Sequence, residues 1–203
     1  MKLYFSPGAC SLAPHVVLRE AQIPFDLVRV DLRTKQLKEG GGDFFAVNEK
    51  GFVPVLELSS GERLTEVAAI LQYLADQKPE LGLVPAAGTM DRYRAMEWLN
   101  FISTELHKSF SPLFNPRAPE EWKTIVKVLL ASRFAYAQKR LEGREFAMGD
   151  RFTIVDAYLY TVLRWSRLVG VDLAAWPALA AYVERMMARP SVAEALKAEG
   201  VSR

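Results

Sequence analysis

Strand and helix signals alternate through the first 77 residues of this chain, and strand signals then all but vanish. That break constrains the fold more than any other feature. Residues 3–5 form an apolar run stopped by Pro7-Gly8, which reads as a buried strand. Residues 11–21 carry helical apolar spacing, with Pro14 near the first turn, where its missing N–H does little harm. Apolar and charged residues alternate over 28–32, the mark of a half-buried strand. Gly40-Gly41-Gly42 makes a flexible connection. Residues 51–58 read as a turn entering a strand, with Pro54 at the strand's start because it cannot donate to a ladder. Ser59-Ser60-Gly61 then turns a hairpin into residues 63–65, and 66–76 follow as a helix. The order β-α-β, loop, β-β-α implies a mixed sheet with helices on its faces.

Proline and glycine punctuate residues 78–85, and five helices follow at 90–114, 119–142, 153–169, 176–188 and 191–198. The expected organisation is an α/β domain at 1–77, a linker at 78–87 and an all-α domain at 88–203. Thr153-Ile154-Val155-Asp156 has the form of a capping box that starts a helix.

Composition narrows the function. Twenty-six Lys and Arg against 24 Asp and Glu give no concentrated basic excess for nucleic acid. A single cysteine, Cys10, forms no internal disulfide, and with only two histidines it makes a structural zinc site unexpected. No stretch reaches the roughly 20 apolar residues of a membrane span, and the first residues do not form a secretion signal. The expectation is a cytoplasmic protein with neither nucleic-acid nor membrane partners and no metal.

Four features carry chemistry, each with a plainer reading beside it. Cys10 lies at the N-terminal end of the first helix, where bare N–H groups stabilise a thiolate and lower its pKa; a lone cysteine is otherwise a small buried hydrophobe. A cis bond at Val53-Pro54 would leave the Val53 backbone free to pair with an extended peptide; otherwise Pro54 is a turn proline. Glu66 opens a helix whose first amides suit a carboxylate, while its own side chain suits an ammonium; alternatively it complements the helix dipole. Asn100, Thr104, His107 and Lys108 share one side of a helix, either as a site or as a solvated face. His15 reads as structural.

Taken in order, these features resemble the beta-class glutathione S-transferases of bacteria. The resemblance runs along the whole chain. It rests on Ser6-Pro7-Gly8-Ala9-Cys10-Ser11, Val47-Asn48-Glu49-Lys50-Gly51 with Val53-Pro54, Thr65-Glu66, Glu97-Trp98-Leu99-Asn100, Thr104-Glu105-Leu106-His107-Lys108 and Arg151 through Tyr158. It implies a thioredoxin-like first domain, a helical second domain, a homodimer, and glutathione as co-substrate in the cleft between domains. Cys10 would lie beside the glutathione sulfur, with His107 as the second catalytic group. Lys35 would take the glycine carboxylate, the Val53 backbone the cysteinyl part, and Glu66 with the Val67 N–H the γ-glutamyl group. Asn100, Thr104 and His107 would complete the site.

Two departures matter. Val67 stands where relatives often carry serine, which removes one hydroxyl contact. Tyr4-Phe5 also reverses a familiar order and turns the tyrosine hydroxyl to the other face of its strand. The implied reaction is conjugation of glutathione to an apolar electrophile, with Phe110, Phe114, Trp165 and Leu168 as candidate cavity residues. Thiol–disulfide exchange through Cys10 is a second activity of the same site. A noncatalytic binding scaffold is the alternative.

Overall fold

Leu3, Tyr4 and Phe5 of β1 (Lys2–Phe5) are all buried, on alternating faces of the strand, the pattern of a strand covered on both sides. In this computed structural model, which describes residues 1–201, β1 is the centre of a five-stranded sheet. It pairs in parallel with β2 (Asp26–Asp31) and antiparallel with β4 (Val55–Glu57). β3 (Gln36–Leu37) and β5 (Arg63–Thr65) add antiparallel at the two edges, giving the order β3-β2-β1-β4-β5. The short β3 lies below the length at which alternation signals a strand. Its hairpin closes through the Leu37 N–H on the Gly42 carbonyl at 2.9 Å, with Gly40, Gly41 and Gly42 all at positive φ.

One sheet face is covered by α1 (Leu12–Glu20) and α2 (Val67–Asp76), whose Leu12, Val16, Ile70, Leu71 and Leu74 are fully buried. Phe5 meets His15 of α1 on this side. Tyr4 points the other way, into a cluster with Val30, Phe44, Val53 and Val55. Its hydroxyl lies 3.1 Å from Glu57, within a group that also includes Lys2 and Arg63.

The chain divides into two units: residues 1–82 together with the stretch from Arg189 onward, and Leu83–Ala188. This corrects the expected helical domain 88–203, because α9 (Pro190–Glu199) belongs to the sheet-bearing unit. Arg189 and Ser191 both donate to the Glu20 carboxylate, and Glu199 meets His15. α9 buries one face, with Val192, Ala195 and Leu196, and periodicity alone cannot say which unit such a face joins.

The second unit is helical: α3 (Met90–Phe101), α4 (Lys108–Phe114), α5 (Glu120–Leu141), α6 (Ile154–Leu163), α7 (Trp165–Leu168) and α8 (Pro177–Met187). The single helix expected at 90–114 is interrupted by a π-helical stretch, Ile102–His107, where the Lys108 N–H reaches back to the Ser103 carbonyl. One extra residue per turn leaves the apolar spacing nearly unchanged, so the sequence reads through it. α6 is buried along its whole length, as a helix apolar on every side requires. Its capping box forms as expected: the Thr153 N–H and hydroxyl reach the Asp156 carboxylate at 2.8 and 2.9 Å. The Ala147 N–H and Tyr182 hydroxyl donate to the same carboxylate at 2.7 and 2.9 Å. Among the described residues, no helix is long and apolar enough to cross a membrane.

Candidate functional site

In the first unit, the loop between the short helical turn at Phe44–Ala46 and β4 connects the predicted residues. Asn48 shapes it, donating from Nδ2 to the Phe52 carbonyl at 2.8 Å and accepting from the Lys50 N–H at 3.2 Å. Gly51 sits at φ 67°, and a Cβ there would lie 2.7 Å from the Phe45 ring, so the bend takes glycine. The Val53–Pro54 bond is cis. β4 begins at Val55, which leaves Val53 outside the ladder. Its carbonyl faces the Cys10 thiol, with Sγ 3.2 Å from the oxygen. Its N–H has no acceptor among the described residues.

Glu66 is the N-cap residue of α2 at φ 69°, ψ 121°, a conformation that costs a non-glycine residue on the order of 1–3 kcal/mol and is concentrated at ligand sites. Its side chain is exposed and pairs with Lys50 Nζ at 2.9 Å; the same ammonium reaches Thr65 Oγ1 at 3.1 Å. The Val67 and Ala68 amides of the first turn have no acceptor among the described residues, as expected of a helix start. Lys35, itself at φ 58°, donates from Nζ to the Gly51 carbonyl at 2.8 Å and lies over the Phe52 ring. Cys10, Lys35, Val53, Glu66 and Val67 are therefore linked within one unit through the 48–53 loop.

Cys10 corrects the sequence reading. Its thiol is not held low by the helix end but pushed up to about 12. Burial is the largest cause. The amides of Cys10 and Ser11 pull the other way, and the carboxylates of Glu66 and Glu199 add to the rise. Two amides do not offset desolvation of a charged sulfur. The residue keeps partial exposure, and the group it presents near neutral pH is an S–H.

Glu199, far along the chain, was not legible as a neighbour of this loop. One of its carboxylate oxygens accepts the Gly8 N–H at 2.8 Å, and the other meets His15 Nδ1 at 2.8 Å, with both side chains fully buried. His15 Nε2 accepts from Arg19 Nε at 2.9 Å. This supports the structural reading of His15 and ties the turn before Cys10 to α9.

In the second unit, Asn100 lies near the end of α3, and Thr104 and His107 lie on the π-helical stretch. Thr104 Oγ1 donates to the Asn100 carbonyl at 3.0 Å. His107 Nδ1 is 2.7 Å from the Tyr158 hydroxyl, a partner the sequence reading missed because it lies 51 residues away. The rings of Trp165 and His107 meet edge to face, 4.9 Å between centroids. Phe110 and Phe114 each pack on Trp165 at 5.7 Å. Of the expected cavity residues, Phe110 and Trp165 are buried, while Phe114 and Leu168 are exposed. Among the described residues, no group of three or more His, Cys, Asp or Glu side chains is gathered to hold a metal ion.

Comparison with known proteins identifies the family. Residues 8–77 match the glutathione S-transferase N-terminal domain, and residues 101–190 match the glutathione S-transferase C-terminal domain. The chain is 50% identical to the glutathione S-transferase GstA of Escherichia coli O157:H7, over 99% of this chain and 100% of that one. A beta-class glutathione S-transferase of Sphingomonas chungbukensis superimposes with a TM-score of 0.96 at 48% identity, covering all of both chains. A sphingomonad glutathione S-transferase complexed with glutathione superimposes at 0.95 with 49% identity, again over all of both chains. With both domains matched and half its residues shared with such relatives, the chain belongs to the glutathione S-transferase family, alongside the bacterial beta class.

Proposed function

We propose that this protein transfers alkyl or aryl groups from apolar electrophiles to the thiol of glutathione, as a cytoplasmic homodimer. The observation that carries the reading is Val53. Its backbone lies outside the sheet ladder with an unpaired N–H, its carbonyl is beside a thiol, and its loop leads to Glu66. An extended cysteinyl residue pairs with such an edge as an added strand does. The γ-glutamyl ammonium then takes the Glu66 carboxylate in place of Lys50, and its carboxylate takes the amides of Val67 and Ala68. Lys35 leaves the Gly51 carbonyl for the glycine carboxylate. Asn100, Thr104 and His107 complete the site from the helical unit.

Catalysis on this reading is stabilisation of the glutathione thiolate by placed donors. Cys10 is one of them, because a thiol raised to about 12 is protonated and can donate to a neighbouring sulfur. His107 is another. Exchange with a glutathione mixed disulfide would need the Cys10 thiolate, which the free protein disfavours. The dimer reading is supported by α3, where Met90 and Tyr93 are more than half exposed one turn apart, an apolar strip that a second copy would cover.

Parallel assays of wild type and Cys10→Ala test the proposal, one with an aromatic electrophile and one with a small glutathione mixed disulfide, alongside calorimetric binding of glutathione. The expected result is that Cys10→Ala keeps measurable conjugation, while disulfide reduction is slow in the wild type and absent in Cys10→Ala. A wild type that binds no glutathione would overturn the reading; one that binds it but turns over neither substrate would favour a scaffold.

A further inference from the structure

We propose that Tyr158 is a positioning residue for His107: its hydroxyl donates to Nδ1 and holds the imidazole as the Nε2–H tautomer, a hydrogen-bond donor at its other end. The contact is short, 2.7 Å, and Tyr158 is almost fully buried. It stands on α6 two residues after Asp156, whose carboxylate is held by four donors. The hydroxyl is therefore carried by a helix whose start is firmly capped. The imidazole is fixed as well, edge to face with both Tyr158 and Trp165, at the C-terminal end of the π-helical stretch. Such stretches recur at functional sites because they redirect side chains that a regular helix would misplace.

The direction of the bond follows from the chemistry of the pair. A phenol is a good donor and a poor acceptor, since its oxygen lone pair is shared with the ring, while the bare imidazole nitrogen is a strong acceptor. The hydrogen bond made by one ring nitrogen sets which nitrogen carries the proton. His15 is the opposite case. A guanidinium N–H can only donate, so the Arg19 Nε at 2.9 Å makes His15 Nε2 an acceptor and leaves the proton on Nδ1, facing Glu199. The chain's two histidines thus hold opposite tautomers. The consequence for catalysis rests on the proposed function: an Nε2–H donor stabilises a glutathione thiolate, whereas an Nε2 lone pair would repel it.

Long-range proton–nitrogen correlation of the imidazoles in the full-length, nitrogen-15-labelled protein reads both tautomers directly, in mildly alkaline buffer and without ligand. The expected spectrum has one Nδ1–H pattern, from His15, and one Nε2–H pattern, from His107. Tyr158→Phe is expected to shift the His107 pattern toward that of an exchanging mixture and to leave His15 unchanged. An Nδ1–H pattern at His107 in the wild type, or an Nε2–H pattern that survives Tyr158→Phe, would overturn the assignment. In conjugation assays Tyr158→Phe should lower kcat roughly two- to tenfold with little change in the KM for glutathione. In a His107→Phe background it should lower kcat no further, and an equal loss there would reduce Tyr158 to a packing residue. Failure of the wild type to bind glutathione would sink the functional reading while leaving the tautomer result intact.

Discussion

Cys10 should resist alkylation, and the structure sets by how much. An ordinary thiol at 9.0 is about one-tenth thiolate at pH 8, whereas one pushed to about 12 is ionised in roughly one molecule in ten thousand. The thiolate population thus falls about a thousandfold. Higher basicity returns part of this through greater intrinsic nucleophilicity. With a Brønsted slope of about 0.4–0.5 over three pKa units, the return is roughly 15- to 30-fold. The net expectation is alkylation about 30- to 60-fold slower than that of an unperturbed thiol at the same pH. As Cys10 is the only cysteine, iodoacetamide labelling followed by intact-mass spectrometry reads it without ambiguity. The rate should rise tenfold per pH unit from pH 6 to pH 10 with no inflection. Glu66→Gln, which removes one of the carboxylates raising the thiol, should accelerate labelling throughout. A plateau near pH 7, or a rate above that of free cysteine, would show that the helix amides outweigh burial after all and that the resting protein carries a thiolate.

Three further outcomes are expected. Asp156→Ala strands the donors of Ala147, Thr153 and Tyr182 in the interior and should cost about 3–5 kcal/mol in urea unfolding; a loss below about 1 kcal/mol would mean that these donors find other acceptors. Glu57, held at about 2 first by its hydrogen bond from Lys2, and Asp31, held at about 2 first by the Thr34 amide, lie below their ordinary values. Their stabilisation is present above about pH 4.5 and is lost as pH falls toward 2, so the urea midpoint should drop over that window and Glu57→Gln should flatten the drop. Gly51→Ala forces a Cβ into left-handed backbone 2.7 Å from the Phe45 ring. It should lower the melting temperature and weaken glutathione binding severalfold, because Lys35 and Val53 are set by that loop; calorimetry showing unchanged affinity would separate the loop from the site.

What the sequence revealed follows the range of the interactions. The capping box was legible because Thr153 and Asp156 are three residues apart and need nothing distant. The swapped order Tyr4-Phe5, set against the resemblance, turns the tyrosine hydroxyl to the opposite face of its strand, and there it meets Glu57. Cys10 lies just before α1 as its sequence position implies, but its acidity does not follow from that position. Helix position is a local property, whereas burial depends on everything folded around the sulfur, and one of the charges that add to the rise belongs to a carboxylate 189 positions downstream. The Tyr158–His107 and Glu199–His15 contacts join residues 51 and 184 apart, and no periodicity encodes them. The π-helical stretch escaped for another reason: one widened turn alters the hydrogen bonding but hardly the apolar spacing.

The return of α9 to the first unit has a consequence for how this chain comes to be folded in a cell. The turn before Cys10 hangs from the Glu199 carboxylate, and α1 is clasped by Arg189 and Ser191 through Glu20. These groups follow the whole helical unit in the chain, so a ribosome that has finished the first hundred residues has made all five strands of the sheet but none of the groups that clamp it. The nascent first unit must wait for the helical unit to be translated before it can close. Truncation before α9 would therefore loosen the turn around Gly8, which is distant from the cut in sequence.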